Sequence, residues 1–320
     1  MKVSLIVTVL NAGEHLDRFL ASIAAQTRMP DEVVIVDGGS SDGTVERLRA
    51  AAGVTVIEAP GANIARGRNL AIAHASHDVI AVADADCVYD AAWLSALLAP
   101  IEAGADVAMG TYEPVVTTFL DACVAGINLP LDPGDVDEHT FMPSARSVAF
   151  RRQAIDAVGG YPEWLPIGED MWVDLRWREG AFDMRLAAGA RARWRLRPTL
   201  GATWTQYFRY ARGDGLAGMH PRRHALRFLA YLGLGAAVAS PRAWPKVLAA
   251  VAGLAYARGP VSRGRARLDD PADRGRAILT IPGLMAFVDA AKMAGYAAGV
   301  LDRVRGRARG GARPDQPSSS

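Results

Sequence analysis

Cysteine is scarce in this chain: only Cys87 and Cys123 occur, and their spacing matches no metal-binding pattern. That excludes a disulfide framework and makes a reducing compartment the default. A Gly-x-Gly-x-x-Gly turn after the first strand is also missing, which argues against a dinucleotide-dependent dehydrogenase. Clean bilayer-spanning runs are lacking as well, since a span needs about 20 apolar residues. The segments 228–239 and 247–257 are each about a dozen residues long and are separated by Ser240, Pro241 and Pro245, while 278–301 carries Pro282, Asp289 and Lys292. These segments predict either helices lying in a membrane interface or a helical subdomain packed on the main body. The run 3–10 imitates a signal peptide, but Asn11, Glu14, His15, Asp17 and Arg18 follow at once. A buried first strand is therefore expected, with the protein on the cytoplasmic side.

Charge is distributed unevenly. Residues 1–220 hold 19 basic and 28 acidic side chains, a net of −9, and residues 221–320 hold 17 and 6, a net of +11. An acidic body with a basic, apolar tail suits the inner face of a cell membrane, to which the protein would bind peripherally. The body lacks the basic residues interleaved with exposed aromatics that mark nucleic-acid binders, so no nucleic-acid partner is expected.

Strand-length apolar runs at 3–10, 32–36, 54–57 and 79–83 alternate with helical periodicities at 16–23, 44–52, 64–75 and 93–98, and a fifth strand opens at 107–109. This rhythm predicts an α/β layer with a mostly parallel sheet, whose ligands bind beyond the carboxyl ends of the strands. Asn11, Asp37, Asp84 and Asp86 all fall at those ends. The acidic, proline-bearing stretch 128–142 is expected to be a surface loop, either a lid or simply solvated. Three regions follow: an α/β domain over 1–218, a helical membrane-associating or packed subdomain over 219–304, and a disordered basic tail over 305–320.

The chemistry-bearing residues are acids. Asp84-Ala85-Asp86 ends a strand, and two carboxylates there can share one hard cation, Mg²⁺ or Mn²⁺; capping of the next helix is the ordinary alternative. In Val36-Asp37-Gly38-Gly39-Ser40-Ser41-Asp42-Gly43-Thr44, Asp37 can accept hydrogen bonds from a base or ribose, while glycines admit close ligand approach. Glu169 and Asp170 sit in a helix's first turn, where the helix dipole favours negative charge. Asp174 and Arg178 read as a surface pair at i,i+4. His220 and His224 read as surface residues flanking Pro221.

Together these features resemble family 2 glycosyltransferases of the GT-A fold over residues 3 to about 215. The resemblance rests on Asn11 and Glu14 after the first strand, Ser22 and Gln26, the 36–44 motif, Asn63, Ala65-Arg66, Asn69, Ala75, Asp84-Ala85-Asp86 and Glu169-Asp170. It implies a Rossmann-like nucleotide-sugar-binding domain followed by an apolar, basic helical region. It implies that Val9, Asn11, Glu14, Asp37, Gly39, Arg66, Asn69, Asp84, Arg209 and Arg212 contact a nucleotide-diphosphate-sugar, a UDP-sugar being the commonest donor. It also implies that Asp84 and Asp86 hold the metal and that Asp170 deprotonates the acceptor for one inverting displacement. The acceptor would be a lipid-linked or cell-envelope glycan. Three departures stand out. Thr8 replaces a proline common before the family's Asn. The stretch Ala192-Arg193-Trp194-Arg195 lacks the histidine that often completes the metal site. Tyr210 replaces the tryptophan of the Gln-x-x-Arg-Trp motif, which points to one sugar per visit. The competing reading is a non-catalytic, membrane-docked nucleotide-sugar-binding protein of the same fold.

Overall fold

The first apolar run forms β1 (Val3–Val9), buried on both faces as a central parallel strand requires. It pairs in parallel with β2 (Glu32–Asp37) and β4 (Val79–Asp84), and β3 (Val54–Glu58) extends the sheet beyond β2. The crossovers are α1 (His15–Ala24), α2 (Thr44–Ala50) and α3 (Ile64–His74). The amphipathic face of α1 buries Leu16, Phe19 and Ile23, as its three- and four-residue spacing predicts. Strand register sets Val9 beside Asp37 and Thr8 beside Asp84. Chain direction across the sheet reverses between β1 and β4, the switch point where such sheets open a crevice. The expected acids stand along this edge.

The computed structural model describes residues 1–132 and 134–308. The remaining strands are β5 (Cys87–Tyr89), β6 (Val107–Val115), β7 (Ser147–Arg151) and β8 (Met184–Arg195), giving an eight-stranded sheet in the order β3-β2-β1-β4-β7-β6-β8-β5. The helices are α4 (Trp93–Glu102), α5 (Phe119–Asn128), α6 (Arg152–Ala157) and α7 (Glu169–Glu179). The sequence reading expected neither β5 nor β8. In β8, buried Ala190, Ala192 and Trp194 alternate with arginines at 191, 193 and 195. That is a period-two pattern masked by the small size of alanine. The loop 128–142 is tied down on one side, since Arg178 donates to the carbonyls of Glu138 (2.7 Å) and Phe141 (2.9 Å).

Packing divides the chain into one unit of Met1–Asp121 with Asn128–Leu196, and another of Ala122–Ile127 with the residues from Arg197 onward. This division precedes the expected boundary at 218, because α8 (Leu200–Ala217) packs against α11 (Pro271–Ala308). The two backbones meet with no room for side chains. A Cβ on Gly295 would lie 2.1 Å from the Phe208 carbonyl oxygen, and one on Gly299 would lie 2.1 Å from that of Arg212. Between these helices run α9 (Pro221–Ala239) and α10 (Ala243–Ala266), which absorb the two short apolar stretches. His224 is no surface residue: it is buried, bonded to Asp214 at 2.8 Å and stacked on Tyr296 at 3.9 Å. A buried imidazole needs such partners. Of the expected disordered tail, residues 305–308 end α11, and the rest lies outside the described residues.

Gly295→Leu should therefore cost about 3 kcal/mol through overpacking. Gly275→Leu, on the same helix with nothing within 4 Å of its Cβ, should change stability by less than about 0.5 kcal/mol. Denaturant unfolding of the two variants checks the contrast.

Candidate active site

The loops after β1 and β2 hold each other. Asn11 takes the left-handed conformation (φ 51°), its N–H donates to Ser40 Oγ at 2.8 Å, and its Oδ1 accepts from Ser41 N at 2.9 Å. Asp37 is buried, and its Oδ1 accepts from Gly39 N and Ser40 N, both at 2.8 Å. Gly39 manages this turn with φ 105°, a conformation costly for any side-chain-bearing residue. The Val9 carbonyl accepts from Gly38 N at 2.9 Å. Val9, Asn11, Asp37 and Gly39 thus form one preorganised rim. Asp37 spends much of its acceptor capacity shaping that rim.

Asp84 closes β4 beside it. Its Oδ1 lies 3.3 Å from Arg68 Nη2 and its Oδ2 lies 3.8 Å from Arg146 Nε. Arg68 is buried on α3, and its other terminal nitrogen pairs with Glu169 at the start of α7. Burial opposes the Arg68 charge, but Glu169 and Asp84 outweigh it and hold its pKa above the ordinary value. Glu169 and Asp84 are both raised, chiefly by burial, with Asp170 adding to each. Tyr89 locks this corner: its hydroxyl accepts from Asp84 N at 2.9 Å and donates to the Arg146 carbonyl at 2.8 Å.

Asp86 is half-buried, and its Oδ1 accepts only a weak 3.4 Å contact from Cys87 Sγ, with no guanidinium partner among the described residues. Burial pushes the Cys87 thiol up, so it stays neutral. One arginine-braced carboxylate and one left unneutralised suit a hard cation that takes one or two protein oxygens and completes its shell with water and phosphate. Among the described residues no third acid, cysteine or histidine joins them. The expected Ala192–Arg195 stretch is β8, where Trp194 stacks under Arg146 at 4.7 Å.

Glu169 and Asp170 are neighbours with opposite fates. Glu169 turns inward to Arg68, whereas Asp170 is half-buried, its Oδ1 accepting from Met171 N at 2.8 Å and its Oδ2 lying 3.5 Å from Ala145 N. Ala145 precedes Arg146, which faces Asp84. Asp170 and Asp84 therefore lie against the two residues of one dipeptide, near enough for the Asp170 charge to raise the Asp84 pKa. The expected Asp174–Arg178 surface pair does not form. Asp174 is buried, its Oδ2 has no hydrogen-bond partner among the described residues, and Arg178 points to the 138–141 loop. Burial, then Asp170, raises the Asp174 pKa well above the ordinary 3.8.

Glu14 and Arg66 are exposed, at the N-cap of α1 and in the first turn of α3. Asn69 acts as a clamp, accepting from Tyr161 N and donating to its carbonyl, both at 2.9 Å. Arg209 is exposed on α8 in the other unit, and Arg212 there pairs with Asp302 at 2.7 Å. Sequence reasoning missed Arg68, Arg146 and Tyr89. A signal for Arg68 existed: it occupies an inward position of α3 between buried Ala65 and Ile72, where an apolar residue is the rule.

Arg68→Met should cost about 3–5 kcal/mol, because it strands two buried carboxylates, and urea unfolding measures it. Asp174 carries a pH signature. Its native form holds the proton more tightly than the unfolded chain, so its stabilising contribution is full below about 3.8 and is lost as pH rises toward the raised native value. Asp174→Asn should therefore gain on wild type by up to about 1.4 kcal/mol per pH unit across that window. Urea midpoints from about pH 4 to about pH 7 check this, and a constant difference contradicts it.

Comparison with known proteins agrees with this geometry. Residues 4–119 match the profile of the family described as glycosyl transferase family 2. The chain is 25% identical over 218 residues to the O-antigen chain rhamnosyltransferase RfbN of Salmonella typhimurium, covering 59% of this chain and 65% of that protein. It thus spans just under two thirds of that relative's length. It is 26% identical over 223 residues to the succinoglycan biosynthesis protein ExoA of Rhizobium meliloti, covering 65% and 68% respectively. Among solved structures, the mannosyltransferase PcManGT of Pyrobaculum calidifontis, in complex with GDP-Man and Mn²⁺, superposes with a TM-score of 0.54 at 18% identity, covering 95% of this chain and 87% of that one. That likeness establishes the GT-A fold. Profile, fold and the order of acids along the sheet edge converge, and residues 4–119 are the part of the chain that matches glycosyl transferase family 2.

Proposed function

We propose that this protein transfers a sugar from a nucleotide-diphosphate donor, with UDP the leading candidate, to a hydroxyl of a lipid-linked or cell-envelope glycan. The observation that supports this reading is the placement of Asp84 against Arg68 and Arg146, with Asp170 at 3.5 Å from the N–H of neighbouring Ala145 and Asp86 two residues beyond Asp84. Asp170 accepts the acceptor's proton as its oxygen attacks the anomeric carbon. The new C–O bond forms on the face opposite the leaving diphosphate, which departs with the old bond's electron pair, so the centre inverts. Asp86, with Asp84, would hold a divalent cation, Mg²⁺ or Mn²⁺, that neutralises the departing diphosphate. Arg146 braces Asp84, and the rim of Val9, Asn11, Asp37 and Gly39 receives base and ribose. The names of the O-antigen and succinoglycan relatives and the GDP-Man and Mn²⁺ held by the archaeal structure support this reading by similarity.

The second unit supports attachment to the cytoplasmic face of a membrane. Leu229, Leu232, Val238, Val247 and Val251 are each more than half exposed on α9 and α10. Soluble surfaces rarely leave so many large apolar side chains together. Pro271–Gly306 is the one helix among the described residues long and apolar enough to cross a bilayer by length and composition. Its central Asp289 and Lys292 favour a seat at the interface.

Asp170→Asn and Asp86→Asn should each lower turnover by about 10²–10⁴-fold with unchanged unfolding curves, as read by donor consumption with Mn²⁺. Full activity in both removes the mechanism. Separately, Leu229→Glu combined with Val251→Glu should weaken binding to phosphatidylglycerol vesicles at least about tenfold in sedimentation. Unchanged sedimentation contradicts the attachment.

A further inference from the structure

Within the second unit, α9, α10 and α11 enclose a groove of about 1550 Å³. Its walls are hydrocarbon almost throughout, with Leu226, Leu234, Leu248, Leu254, Pro282 and Met285 among them. Besides Ser240, its polar side chains include Arg223, Arg227 and Tyr231, one turn apart on α9, and Asp289 of α11, to which Arg227 and Tyr231 bond. Arg227 is committed there, with Nε 2.8 Å from Asp289 Oδ1 and Nη1 3.1 Å from His224 Nδ1. Arg223 gives only Nη2, to Asp214 at 3.0 Å, and its side chain is 55% exposed, so guanidinium donors remain to it.

This chemistry selects its occupant. The groove exceeds the roughly 300–1,000 Å³ of ordinary small-molecule sites and lacks the convergent polar groups that orient a sugar or nucleotide. A long hydrocarbon chain matches its walls, and a phosphate at the chain's end matches Arg223. We propose that the groove binds the hydrocarbon chain of a phosphate-linked lipid acceptor, with Arg223 holding its phosphate. The proposal rests on the transferase and membrane readings above and adds to them a site that selects the acceptor by its lipid. Two glycines open the groove: Gly233 on α9 and Gly253 on α10 both line it, and a Cβ on either meets nothing within 4 Å. Larger side chains there enter the cavity without displacing backbone.

The test uses the full chain in phosphatidylcholine nanodiscs, with geranylgeranyl phosphate carrying a diazirine at the far end of its chain. Crosslinks should map to groove-facing residues such as Leu248, Leu254 and Met285. Gly253→Phe and, independently, Gly233→Phe should reduce labelling at least tenfold while circular dichroism stays that of wild type. Unlabelled geranylgeranyl phosphate should compete at least tenfold better than geranylgeraniol or phosphatidylglycerol. Equal competition by phosphatidylglycerol means that bulk lipid fills the groove, and equal competition by the alcohol removes the role of Arg223. Labelling spread over the outer faces of α9 and α10, or unchanged in both variants, overturns the proposal. Should the variants misfold, the competition series on wild-type protein decides alone. Binding of a panel of nucleoside diphosphates, UDP and GDP among them, is measured with Mn²⁺ on the same preparation. A labelled groove in a protein that binds none of them removes the transferase reading and leaves the lipid site standing.

Discussion

A guanidinium buried in the first unit is the constraint on which its chemistry depends. Arg68 is out of water on α3 and must find compensating charge, since an unpaired buried cation costs several kcal/mol. It takes Glu169 from α7 and Asp84 from β4, binding together segments about a hundred residues apart in the chain. The pairing sets direction as well as distance. With Glu169 drawn inward, the next residue on the helix, Asp170, is left on the half-exposed side toward Ala145, and the cleft is assembled before any ligand arrives. Preorganisation of this kind is what lets fixed charges act on a reaction without rearranging during it.

The second unit distributes polarity the other way. Four of its ionic groups are drawn inside, where Asp214, His224, Arg227 and Asp289 form a hydrogen-bonded chain, while leucines and valines of α9 and α10 are exposed. In water that arrangement is unfavourable on both counts. At a membrane surface it becomes sensible: the exposed side chains leave water, and the buried charges stay paired. The basic excess over residues 221–320 adds attraction to anionic headgroups.

Much of the first half of the first unit was legible because β1, β2 and β4 are parallel and largely buried, whereas β7 and β5 pair antiparallel. Runs such as 3–10 and 79–83 carry their own signal, and motif acids at strand ends must fall on one edge once the strands are parallel. Less could be read where identity and environment disagree. Arg68 drew no notice, Asp174 read as a surface partner for Arg178, and His224 read as a surface residue, yet all three are buried. Burial of a polar residue is decided by partners distant in sequence, which periodicity does not encode. Asn69 differs in another way: its motif position implies a ligand contact, and its amide also bonds the 161–163 loop, which the motif does not show. The alternation in β8 was hidden because alanine marks an inward face only faintly.

Thermal unfolding with nucleotide-sugars, with and without Mn²⁺, reaches the centre of this account. The acids at the sheet edge should bind donor and cation as one unit. A UDP-sugar at about a hundredfold excess over its Kd should raise Tm by roughly 5–10 °C with Mn²⁺, and the metal-dependent part should vanish in Asp86→Asn. An equal shift with and without the metal, or one that survives intact in Asp86→Asn, would contradict it.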